Sequence, residues 1–72
     1  MNKVATEAEV RELAILHNVS VHGVTADHQD YYRFSSPRHE SIDITRSGDL
    51  VSSQGEQEIK QWIQSELHDY NQ

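Results

Sequence analysis

The sequence predicts a small α+β domain: a three- or four-stranded antiparallel sheet with two helices on one face, in the order α-β-β-β-(β)-α. Three observations support this. Two segments with a helical hydrophobic period, each opened by a capping signature, bracket the chain. Between them lie short segments of period two, rich in β-branched and aromatic residues. The connections joining those segments are too short for parallel crossovers, so neighbours pair antiparallel. Each element has one apolar face, and both helices therefore share one side of the sheet.

The first helix opens at Thr6-Glu7-Ala8-Glu9, where a Glu three residues after a Thr is the reciprocal pairing of a capping box. Val10, Leu13, Ala14 and His17, widened by Leu16, form its apolar stripe, with Ile15 off centre. Asn18 tolerates positive φ and marks the stop. Val19 and Val21 then alternate with Ser20 and His22 as a strand, and Gly23 marks a bend or bulge. Thr25 to Asp30 is a polar connection. Tyr31-Tyr32-Arg33-Phe34-Ser35 is the strongest strand signal, with Tyr32 and Phe34 facing inward. Ser36 to Glu40, around Pro37, is the loop of a hairpin whose returning strand, Ser41 to Thr45, turns Ile42 and Ile44 inward.

Arg46-Ser47-Gly48-Asp49 carries turn chemistry, and Leu50-Val51 forms a short fourth strand in this reading. A second capping box, Ser53-Gln54-Gly55-Glu56, opens the last helix. Its stripe is Ile59, Trp62, Ile63, Leu67 and Tyr70, and Glu56 pairs with Lys60 one turn on.

At 72 residues the chain holds one domain, with residues 1–5 expected to be a flexible N-terminus and 71–72 frayed. It contains no Cys, so neither disulfides nor thiolate metal sites are available. No apolar run is long enough to span a bilayer, and Met1 to Thr6 lacks the apolar stretch of a secretory signal. A cytoplasmic location without membrane contact is the expectation.

Twelve Asp and Glu against six Lys and Arg give a formal charge of −6. That balance argues against direct nucleic-acid binding, which draws its affinity from cations neutralising phosphates. The excess falls on the helices and on Asp27 and Asp30, whereas the strand region is nearly neutral. The α-β-β-β-α order is shared with double-stranded-RNA-binding domains. The last helix here, however, starts Ser53-Gln54-Gly55-Glu56, where such a domain presents Lys to phosphates.

Two surfaces are candidates for binding a partner. Alternation places Ser20, His22, Tyr31, Arg33, Ser35, Ser41, Asp43 and Thr45 on the open sheet face. Within that set Tyr31, Arg33, Asp43 and His22 are the candidate site, because exposed Tyr and Arg contribute most at protein interfaces. The ordinary alternative is a solvated polar face on which Arg33 pairs across strands with Asp43. The second surface is the acidic helix exterior formed by Glu9, Glu12, Glu56, Glu58 and Glu66.

His22, His28 and Asp30 lie close in sequence, but without a recognised ligand spacing they read as solvated residues, and no metal or cofactor is expected. His17 is expected to serve the terminal carbonyls of its helix. There is no G-x-S-x-G elbow and no phosphate-cradling Gly-rich loop, so no enzyme is expected. The leading expectation is a non-catalytic protein-binding module or small acidic inhibitor whose partner is a larger protein. In its sharper form helical carboxylates mimic phosphates and fill a basic groove on a nucleic-acid-handling protein. The alternative is a small nucleic-acid-binding or regulatory module using Tyr31 and Arg33, with Arg38 and Arg46 nearby. A homodimer through an edge strand or the Tyr70 end is a further possibility.

Overall fold

A computed structural model describes residues 2–51 and 55–72. The elements run β1 (Asn2–Lys3), α1 (Glu7–His17), β2 (Val21–Val24), β3 (Asp30–Phe34), β4 (Ile42–Thr45), β5 (Asp49–Leu50) and α2 (Glu56–Tyr70). The expected α+β architecture is present, with five antiparallel strands rather than three or four, in the order β1-β5-β4-β3-β2. α1 carries the chain from the β1 edge to the β2 edge. The strands then return as a meander, and α2 follows the last of them.

The strand that sequence reasoning missed is β1, in the segment expected to be flexible. Asn2 and Lys3 register with Leu50 and Asp49. The Gly48 carbonyl accepts from the N–H of Val4 at 2.8 Å and of Ala5 at 3.3 Å, and Val4 and Ala5 are buried. Gly48 is at φ 103°, and a Cβ there would stand 1.9 Å from the Ala5 carbonyl oxygen. Only glycine lets the two segments approach. The last sheet element is Asp49–Leu50 instead of Leu50-Val51, which leaves Val51 exposed.

α1 starts as its sequence dictates. Thr6 Oγ1 accepts from the Glu9 N–H at 3.1 Å, and Glu9 Oε1 accepts from the Thr6 N–H at 2.9 Å; such a cap stabilises a helix by about 1 kcal/mol. Asn18 closes it in the left-handed conformation (φ 54°, ψ 47°). Its N–H reaches the Ile15 carbonyl, and the Val19 N–H reaches that of Ala14, a Schellman pairing. This pairing corrects the predicted strand start: Val19 has given its donor to the helix end, so β2 begins at Val21. Val19 packs against the core from the connection. α2 has Gly55 as its N-cap, at φ 73° and with no side-chain cap hydrogen bond; Ser53, the predicted cap, lies outside the described residues.

One core fills the space between the layers. The sheet supplies Phe34, Ile42, Ile44 and Leu50; α1 supplies Val10, Leu13 and Ala14; α2 supplies Ile59, Ile63 and Leu67. Trp62 and Tyr32 pack at its margin. Tyr70, predicted on the α2 stripe, is exposed, because Leu67 is the last residue of that helix to reach the core.

Candidate protein-binding surface

The register of β3 and β4 sets Arg33 opposite Asp43 and Phe34 opposite Ile42. Phe34 and Ile42 are buried under the helices, so Arg33, Asp43 and Tyr31 stand on the open side. Arg33 Nε donates to Asp43 Oδ1 at 2.8 Å and Nη2 donates to Oδ2 at 3.1 Å. This bidentate pair raises the guanidinium pKa above its ordinary value, chiefly through the hydrogen bonding to Asp43. Ser41 Oγ adds a donor to Asp43 Oδ1 at 3.4 Å. The guanidinium carbon of Arg33 lies 6.0 Å from the Tyr31 ring centroid, at the limit of a cation–π contact.

The Tyr31 ring lies 5.5 Å from that of His22. The pairing of β2 with β3 shifts between Val21 and Gly23. The anticipated irregularity is therefore present, and His22 is its extra residue. His22, Tyr31, Arg33 and Asp43, the four candidate residues of the sheet, form one row across three strands.

Thr45 was expected on this face but is fully buried. Its hydroxyl accepts from the Asp49 N–H at 2.9 Å and shares a hydrogen bond with Ser47 Oγ at 3.0 Å. The turn after β4 closes on Thr45 and removes it from the open surface.

The acidic helix residues are not gathered into one free surface. Glu58 Oε1 lies 3.3 Å from both Arg38 and His39, which hold its carboxyl below the ordinary value, Arg38 foremost. Glu56 faces Lys60 at 3.7 Å. Glu9 is lowered as well, first by the backbone N–H of Thr6 and then by Gln64. Glu66 accepts from His17 Nε2 at 2.8 Å. Among the described residues only Glu12 of the five has no hydrogen-bond or ion-pair partner.

His17 was expected to serve its own helix end, but the Schellman pairing already occupies the Ala14 and Ile15 carbonyls. Its ring instead stands edge-on to Phe34 at 5.7 Å and tilted against Trp62 at 5.4 Å, joining α1 to α2. Arg38, His39 and Glu58 also rim a shallow pocket of about 310 Å³ beside Trp62. Nothing local in the sequence signals it, since its two walls come from the hairpin loop and α2.

His28 sits in the β2–β3 loop at φ 64°, and Asp30 pairs with Arg46 at 3.0 Å. Among the described residues no group of three or more His, Asp and Glu side chains is placed to hold a metal ion, and no helix is long and apolar enough to cross a membrane. No family model matches the chain, and neither the curated proteins nor the solved structures provide a match.

Proposed function

We propose that the chain is a non-catalytic protein-binding module that meets a larger protein through the open face of its sheet. The observation that carries this reading is the row His22, Tyr31, Arg33, Asp43. Its central Arg is held through Nε and Nη2 by Asp43, the pairing that an ordinary polar face also expects, and its Tyr is flanked by His22 and Arg33, which that alternative does not call for. A Tyr and an Arg fixed in place lose less side-chain freedom on binding than free ones, which favours affinity. Asp43 and Tyr31 still offer polar atoms to a partner.

Charge pairing disfavours the nucleic-acid alternative. Of the six Lys and Arg, five stand within 4.0 Å of a carboxylate, namely Arg11, Arg33, Arg38, Arg46 and Lys60. Each neighbouring carboxylate offsets part of the attraction that its basic partner would offer a phosphate. The phosphate-mimic form is also less favoured, because Glu56, Glu58 and Glu66 each already face a basic side chain.

Affinity capture from the native host extract tests the proposal when run in parallel with wild-type chain, Tyr31→Ala/Arg33→Ala and Glu9→Lys/Glu12→Lys. A protein retained by wild type and by the helix variant but lost with the sheet variant is the expected result. Retention that depends on the glutamates and not on Tyr31 and Arg33 would refute it.

A further inference from the structure

Glycine is costly inside a strand, because it loses more conformational freedom on folding than other residues and has no side chain to pack. Gly23 nevertheless lies within β2, between His22 and Val24. Of the three glycines in the chain, only Gly48 and Gly55 take positive φ. The backbone at Gly23 therefore does not demand a glycine.

The space that a side chain would fill is taken by Tyr31. The two residues are register partners across β2 and β3. A Cβ on Gly23 would stand 3.2 Å from Tyr31 Cε1, 3.3 Å from its hydroxyl oxygen and 3.5 Å from Cζ, so the phenol end of the ring reaches onto the β2 backbone. Cross-strand partners share a face, which puts this contact on the open side. His22, the extra residue of the bulge, meets the same ring at 5.5 Å, and the Arg33 guanidinium carbon lies 6.0 Å from its centroid.

We propose that Gly23 is a positioning residue of the open-face site, where the lack of a side chain lets Tyr31 lie against β2 beside His22 and Arg33. The role rests on the protein-binding reading of that face. With alanine at this position, 3.2 Å between Cβ and Cε1 is inside the roughly 3.5–4.0 Å at which carbon atoms rest. The ring end is the tip of a flexible side chain and moves before the backbone does. Alanine also recovers part of the strand penalty of glycine. Replacing a glycine that serves the fold lowers stability, whereas replacing one that serves the site spares stability and lowers binding.

Gly23→Ala, Tyr31→Ala and the double variant test the role. In urea denaturation Gly23→Ala is expected to have a midpoint equal to or above that of wild type. In the free wild-type chain, nuclear Overhauser contacts are expected between the Tyr31 ring protons and the Gly23 α-protons, and the Tyr31 and His22 ring resonances are expected to shift in Gly23→Ala. Toward the captured protein, Gly23→Ala is expected to raise the dissociation constant at least about tenfold, a loss usual for an anchoring interface aromatic, and to add nothing once Tyr31 is replaced by alanine. A lowered midpoint that Tyr31→Ala does not relieve makes Gly23 a requirement of the backbone and overturns the proposal, as does absence of the contacts between Tyr31 and Gly23. Binding lost with Tyr31→Ala but kept with Gly23→Ala also overturns it, and leaves the reading of the open face standing. Binding indifferent to both substitutions refutes that reading, and this role of Gly23 with it.

Discussion

Arg33 and Asp43 face each other across β3 and β4, and the guanidinium donates through Nε and Nη2 to both carboxylate oxygens. Only a planar fork can make this contact; an ammonium cannot. Arg33→Lys, which keeps the charge, is therefore expected to weaken binding of the captured partner nearly as much as Arg33→Ala does, with the fold unchanged. Binding isotherms for the two variants, with circular dichroism as control, check this. Binding by Arg33→Lys equal to wild type would mean that charge, and not the held geometry, is recognised.

The pairing of five of the six basic side chains with carboxylates predicts little attraction for phosphates. Titration of short single- and double-stranded oligonucleotides at low salt, where such attraction is strongest, is expected to give no saturable change in fluorescence anisotropy. Micromolar binding abolished by Arg33→Ala would restore the nucleic-acid reading of the same face.

Gly48 ties β1 to the β4–β5 turn through its carbonyl, at a φ unfavourable to other residues and with no room for a Cβ. Gly48→Ala must shift the Ala5 backbone and strain its own. A loss of about 2 kcal/mol or more is expected in urea denaturation. An unchanged midpoint would show that β1 is dispensable to the sheet.

Glu9 links helix capping to pH. Donation by the Thr6 N–H, with Gln64 assisting, holds its carboxyl below the ordinary value of 4.5 in the folded chain. A group depressed on folding stabilises above its unfolded pKa and loses that contribution as pH falls through the folded one. The melting-temperature advantage of wild type over Glu9→Gln is thus expected to be full at neutral pH and to shrink as pH falls below about 4.5. A difference independent of pH would contradict this role.

Features written in neighbouring residues were legible in the sequence. Thr6 with Glu9, the Asn18 stop and the opposition of Arg33 to Asp43 follow from capping chemistry and strand alternation. What was misread depended on competition or on distant contacts. Val19 fits strand alternation, but its N–H is taken by the Ala14 carbonyl. Thr45 alternates outward, yet its own turn covers it. β1 needs the Gly48 carbonyl to exist, and the carboxylates that looked like a free acidic face find partners such as His17 and Arg38 on other elements. The first two are local competitions for a donor or a face that periodicity does not register, and the last two depend on tertiary packing.

The central claim is that the open sheet face is where the partner binds. Amide hydrogen exchange of the chain, free and saturated with the captured protein, tests it most directly. The account predicts added protection over β3 and β4, around Tyr31, Arg33 and Asp43, with α1 and α2 little changed. Protection confined to the helices, with the β3 and β4 amides unaltered, would contradict it.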